Sequence, residues 1–186
     1  MATNLHAPLL TVEEFLRIDF GPEKKAELSN GVIRMMAGGA AAHNRIQSNV
    51  IGLFHSALRG SGCRPYGSDM GVRMHDFSLR HPDVSVFCGR DSPENDKLRE
   101  FDDPVMVVEV LSPSTRDEDV SVKLPEYKAV ASMQTILFID PDTGSMRLLQ
   151  RTGPSAWNDA ELAAGAPVSL PRFDLTLTHS DIFARG

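Results

Sequence analysis

Cysteine is scarce in this chain of 186 residues, with only Cys63 and Cys88 present. Two cysteines do not make a disulfide framework, and these two lack the spacing of metal ligands, so the pattern predicts reduced thiols. Long apolar runs are also missing. No stretch approaches the roughly 20 apolar residues that a membrane-spanning helix requires. Met1–Leu10 lacks the charged-then-apolar order of an export signal, and a cytoplasmic location is the expectation. Positive charge is not in excess: 19 Lys and Arg stand against 25 Asp and Glu, a net charge of −6. A protein that grips duplex nucleic acid nonspecifically presents a basic surface. The average surface here is acidic, which leaves three readings: a carboxylate-rich metal site, a dimer that gathers its arginines in one groove, or no nucleic-acid partner. The single tryptophan, Trp157, is expected to pack on a sheet surface.

What is present is ordinary for a globular protein, 41% apolar and 24% charged, and the length suits one domain over residues 1–186 with its own core. The most informative stretch is Val105–Thr115, V-M-V-V-E-V-L-S-P-S-T. A continuous apolar run closed by turn residues predicts a strand buried on both faces in mid-sheet. Side chains alternate along a strand, so Glu109 and Leu111 share one face while Val108 and Val110 share the other. A buried ionised carboxylate costs several kcal/mol unless it is paired or binds a metal. Glu109 is therefore expected to hold a divalent cation in a cleft; satisfaction by a neighbouring arginine or backbone amides is the alternative.

Around that strand, Thr11-Val-Glu-Glu14 is a capping-box pattern that opens a short helix to about Ile18. Asn30-Gly31 predicts a two-residue hairpin between Ala26–Ser29 and Val32–Met36. Apolar residues at helical spacing predict a helix from about Ala42 to Leu58, ended at Gly60. Strands are expected at Cys63–Tyr66, Asp69–His75 and Val84–Cys88, with an exposed loop over Arg90–Asp103. A helix follows over Asp117–Ala131, with Pro125 tolerated near its first turn. Strands at Gln134–Ile139 and Met146–Arg151 form a hairpin, Gly153–Ala166 reads as loop, Leu175–Thr178 as a strand, and Ser180 as the cap of a last turn over Asp181–Ala184. This order predicts an α/β sandwich with a central mixed β-sheet flanked by helices and an N-terminal hairpin.

Four residues carry chemistry in this reading: Asp83 at the start of a strand, Glu109, Lys123 in the following helix, and Glu27 in the first strand. Two carboxylates on neighbouring strands can share a hard divalent cation, and the Val110 carbonyl offers a further ligand. A nearby lysine can offset transition-state charge. His43, near the start of the long helix, and Ser112, at the end of the central strand, are accessory candidates. Arg73, Arg80 and Arg116 either contact phosphate or neutralise acidic loops.

Pro82-Asp83, Val108-Glu109-Val110-Leu111-Ser112-Pro113-Ser114, Lys123-Leu124 with Tyr127, and Phe138-Ile139-Asp140-Pro141 resemble, in that order, the bacterial Uma-two family of restriction endonucleases within the PD-(D/E)xK nuclease superfamily. Glu27-Leu-Ser-Asn30-Gly31 and His43-Asn-Arg-Ile46 extend the resemblance over nearly the whole chain. The resemblance implies a restriction-endonuclease-like fold and hydrolysis of DNA by a magnesium- or manganese-dependent endonuclease. Asp83, Glu109 and the Val110 carbonyl would be the metal set, Lys123 a relocated catalytic lysine, and Glu27 the acidic residue of an early element. The superfamily places a lysine two residues after the acid, where this chain has Leu111. An inactive nuclease-fold binding module is the alternative, and a homo-oligomer, most simply a dimer, the expected assembly.

Overall fold

The computed structural model describes residues 9–21, 24–112, 116 and 119–185. Its central layer is a mixed sheet of β3 (Cys63–Gly67), β6 (Val84–Cys88), β8 (Met106–Val110), β9 (Thr135–Ile139), β10 (Met146–Arg151) and β11 (Trp157–Leu162), in the order β11-β10-β9-β8-β6-β3. β8 runs parallel to β9 and antiparallel to β6. Every residue of β8 is buried, because a helix covers each face. On one face lies α2 (Ala41–Ala57), whose Ile46, Val50 and Phe54 pack on Val84, Val86, Val108 and Val110. The other face is covered by α3 (Leu124–Ala129), whose Leu124 and Tyr127 join Val107, Leu111 and Phe138. The run of branched residues in β8 is thus the pattern of a strand with two apolar neighbours.

A second sheet, ordered β2-β1-β5-β4-β7, is built from β1 (Ala26–Ser29), β2 (Val32–Met35), β4 (Gly71–His75), β5 (Ser78–Arg80) and β7 (Glu100–Phe101). The β1–β2 hairpin turns at Asn30 and Gly31, both at positive φ (48° and 77°), the conformation that this dipeptide tolerates best. Alternation in β1 sends Ala26 and Leu28 against Val12 and Phe15 of α1 (Val12–Phe15). It sends Glu27 and Ser29 the other way, towards the Arg80 guanidinium, and all four β1 residues are buried. The two sheets pack together through Val72 and Phe101 of this sheet and Phe87 of the central one.

Several expectations are corrected. Residues 157–162 form strand β11 along the full length of β10 instead of a loop; Trp157-Asn-Asp-Ala-Glu-Leu is polar because it is an edge strand. The loop over 90–103 contains β7, held by parallel pairing to β4 and by buried Phe101. β5 and the short β12 (Val168–Leu170) were not anticipated, while β13 (Leu175–Leu177) falls where a strand was expected. Thr178, not Ser180, caps the last helix, α4 (His179–Ile182). In place of one regular helix over 117–131, a π-helical turn at Asp119–Lys123 leads into α3, which puts Pro125 in the first turn, where its missing N–H costs nothing. Residues 117 and 118 of that expected helix, and Ser114, lie outside the described residues.

Cys63 and Cys88 are joined in a disulfide, against the expectation of reduced thiols. They are direct cross-strand partners in the β3–β6 register, an adjacency that sequence spacing cannot reveal. Among the described residues no helix is long and apolar enough to cross a membrane.

Candidate active site: a carboxylate cluster around Lys123

The π-helical turn ends at Lys123 and aims its ammonium inward. The Lys123 Nζ lies 3.2 Å from Glu109 Oε1, 3.4 Å from Glu27 Oε1 and 3.0 Å from Asp119 Oδ1. One lysine thereby joins the central strand, the first hairpin and its own turn. Unusual helical turns of this kind recur at functional sites. Lys123 is 7% exposed and Glu109 3%, so the cluster works at low dielectric, where unpaired charge is expensive.

Each carboxylate is held differently. Glu27 Oε2 accepts from Arg80 Nη1 at 3.2 Å, and its Oε1 accepts from the His81 amide at 2.8 Å. Burial works against its charge, but Lys123, that amide and Arg80 together hold it below the usual carboxylate range. Arg80 is itself fully buried and also donates to Ser29 Oγ and to both oxygens of Glu126. Glu109 Oε1 accepts from the Tyr127 hydroxyl as well as from Lys123. Burial pushes the Glu109 pKa up to about 8; Lys123 opposes this, while Asp119, Asp83 and Glu27 add to it. Burial would lower the Lys123 pKa, yet Glu109, Glu27 and Asp119 outweigh it and keep the ammonium charged. Three carboxylates share one ammonium, and Glu109 is the one that burial most disfavours as an anion.

Asp83 stands at the rim. The β6–β8 register pairs Val84 with Val108 and Ser85 with Val107, and one step further it sets Asp83 across from Glu109. Asp83 Oδ2 accepts from the Val110 amide at 2.8 Å and lies 3.1 Å from His43 Nε2. The hydrogen bond to Asp83 raises the His43 pKa against partial burial, helped by the charges of Asp83 and Asp119 and by the Val110 carbonyl. The Gln47 amide donates to the Asp83 carbonyl at 2.8 Å, which ties α2 to the same residue.

The structure therefore gathers Glu27, Asp83, Glu109, Lys123 and His43 from five separate stretches of the chain. Ser112, at the end of β8, is half-buried, and its carbonyl accepts from the Arg116 amide. Leu111 lies in the apolar cluster under α3 and lines a separate hollow with Arg116, Phe138 and Asp140, away from Glu27, Asp83 and Lys123. The three arginines considered for phosphate all bind carboxylates: Arg73 to Glu100 and Glu13, Arg80 to Glu27 and Glu126, Arg116 to Asp140. Asp119 was not singled out from the sequence, Tyr127 entered only through the family resemblance and without a role, and Arg80 is the buried partner of two glutamates instead of a phosphate contact. Asp119 looks like part of a solvated helical face, and Tyr127 like a core residue; only the i, i+4 spacing of Asp119 and Lys123 was a visible hint.

The oxygen donors that a cation would need are the Asp83 carboxylate at the rim and, deeper, the buried Glu109 carboxylate and Val110 carbonyl. Among the described residues, no three His, Cys, Asp or Glu side chains converge on one point, so a carbonyl or water must complete any ligand set. The donor chemistry fits a hard divalent cation.

The fold defines the class first. A crystal structure of "a putative nuclease belonging to DUF820" from Anabaena variabilis superposes with a TM-score of 0.77 at 24% identity, covering 94% of this chain and 98% of that one. The architecture is therefore that restriction-endonuclease-like α/β fold. The family model Uma2, described as "Putative restriction endonuclease", matches residues 12–179, and the chain belongs to that family. The uncharacterized protein slr1290 of Synechocystis sp. is 29% identical over 181 residues, 96% of this chain and 93% of its own length. A second Synechocystis protein, sll1609, is 27% identical over 155 residues, 83% of this chain and 88% of its own.

Proposed function

We propose that the protein is a metal-dependent endonuclease of the PD-(D/E)xK type that hydrolyses DNA phosphodiester bonds. The observation that carries this reading is the buried Lys123 ammonium, 3.2 Å from Glu109, beside a second acidic strand position at Asp83. In this reading Asp83, Glu109 and the Val110 carbonyl hold magnesium or manganese, and the ion supplies Lewis-acid polarisation of a phosphoryl oxygen. Lys123 stands in for the lysine missing at position 111. Its positive charge, fixed by Glu27 and Asp119, offsets charge that grows on the phosphoryl group without any reorganisation of solvent. The Val110 amide fixes the Asp83 carboxylate, and Arg80 fixes Glu27. A dimer would present two such clusters to the two strands of a duplex, as a C2 assembly allows.

Supercoiled plasmid incubated with magnesium or manganese tests the reading. The wild-type protein is expected to nick or linearise it, and Glu109→Gln to lose at least about 100-fold in rate, the scale of removing one charge-stabilising group. A Glu109→Gln variant that cuts at the wild-type rate ends the assignment. The second reading, an inactive nuclease-fold binding module, is favoured by buried Leu111 at the usual lysine position and by the pairing of Arg73, Arg80 and Arg116 with carboxylates. DNA that is retained in a gel-shift assay but never cut with any divalent metal would select it.

A further inference from the structure

We propose that His43 is a further protein ligand of the cation, on the side of Asp83 and the Val110 carbonyl, which makes the centre a mixed nitrogen–oxygen site selective for manganese over magnesium. The inference rests on the metal-dependent reading above and adds a ligand and a selectivity to it.

The geometry is that of two neighbouring ligands. His43 Nε2 lies 3.1 Å from Asp83 Oδ2. Two donor atoms on adjacent corners around one ion, at bond lengths of about 2.0–2.2 Å, stand roughly 3 Å apart. The Val110 backbone reaches the same pair, its amide donating to Asp83 Oδ2 at 2.8 Å and its carbonyl bearing on the His43 ring. By contrast, Glu109 Oε1 is taken up by Tyr127 and Lys123.

The imidazole is seated for this position. A Cβ on Gly39 would stand 2.6 Å from His43 Nδ1 and 2.9 Å from its Cγ, so a glycine is required for the ring to lie where it does. Nδ1 is buried with no hydrogen-bond partner among the described residues, which leaves the ring's polar contacts on its Nε2 side. Ile46 and Val50 anchor the next turns of α2 in the core, and Gln47 ties the helix to the Asp83 backbone. His43 is thus held on a rigid element, as a ligand must be.

Access agrees with this assignment. The side chains of His43 and Asp83 are 15% and 14% exposed, whereas Glu109 and Lys123 are almost sealed. An ion arriving from solvent meets the His43–Asp83 rim first. The chemistry then sets selectivity: magnesium prefers oxygen ligands and sheds water reluctantly, whereas imidazole raises affinity for the transition metals.

Calorimetry of the full chain with Mn²⁺ and with Mg²⁺, together with pulsed electron paramagnetic resonance of the Mn²⁺-loaded protein, tests the proposal. Wild type is expected to bind Mn²⁺ roughly tenfold or more tighter than Mg²⁺ and to show coupling to a nitrogen that responds to ¹⁵N-histidine labelling. His43→Ala should lose the Mn²⁺ preference and the nitrogen coupling. His43→Gln keeps a hydrogen bond to Asp83 and should also lose the nitrogen coupling, which decides the matter if the alanine variant does not fold. Mn²⁺ bound without histidine-nitrogen coupling, or with the coupling intact in His43→Gln, overturns the ligand assignment and leaves the nuclease reading standing. A wild-type protein that binds neither ion at millimolar concentration overturns both.

Discussion

The Tyr127 hydroxyl donates to Glu109 Oε1 across 2.5 Å, with the tyrosine fully buried and the carboxylate 3% exposed. It is the neutral donor on a carboxylate whose other donor, Lys123, is shared with two further acids. Tyr127→Phe removes that hydrogen bond and leaves the ring packing in place. The expected loss is about 1–3 kcal/mol, the cost of one unmet buried acceptor, read by denaturant unfolding. A variant as stable as wild type would mean that water replaces the hydroxyl.

Lys123→Met removes the cation shared by Glu27, Glu109 and Asp119. Breaking such a buried arrangement leaves uncompensated charge and costs about 3–5 kcal/mol. Adding Glu109→Gln should return part of that stability, because the amide carries no charge to leave unpaired. Additive losses in this double-mutant cycle would show that the two groups are not coupled.

Asp83→Asn separates structure from chemistry. The amide oxygen can still accept from Val110, so stability is expected to stay within about 1 kcal/mol. Metal-dependent cleavage should fall by at least about 100-fold, since a neutral amide binds a divalent cation poorly. Plasmid cleavage and thermal unfolding of the same preparation check both halves.

His81 sets an acid limb to stability. Burial, together with the nearby Lys25 charge, lowers its pKa to about 4, below the roughly 6.5 of an unfolded chain. The unfolded state therefore binds more protons between those values. Stability is complete above the unfolded pKa and is lost as pH falls from about 6.5 towards 4. The loss is on the order of 1–3 kcal/mol, and His81→Gln should flatten that part of the stability–pH curve. An unchanged acid limb in the variant would assign it to other groups.

The Cys63–Cys88 bridge closes a loop with a sequence separation of 25. Its reduction is expected to cost about 2–4 kcal/mol by the chain-entropy argument, with no change in metal binding, since neither cysteine contacts the Lys123 cluster. Thiol titration under denaturing conditions, before and after a reductant, checks that the bridge is present.

Elements with a strong local cause were legible in the chain. The Asn30-Gly31 turn needs two residues tolerant of positive φ, the Thr11–Glu14 box is two hydrogen bonds long, and the spacing from Ile46 to Leu58 has one helical face. Glu109 stood out because an acid inside an apolar strand demands a partner. β11 was missed because an edge strand needs no apolar face to pair with β10.

Sequence alone determined that β8 would be buried on both faces and that Glu109 within it could not remain alone, since burial cost depends on residue type and local pattern. Only the tertiary structure decided what surrounds that charge. Lys123 and Tyr127 come from one turn-and-helix segment, Glu27 from a hairpin on the other sheet, and Asp83 from the strand alongside. Their meeting depends on strand register and sheet packing, where shifting a pairing by one residue turns every side chain to the opposite face.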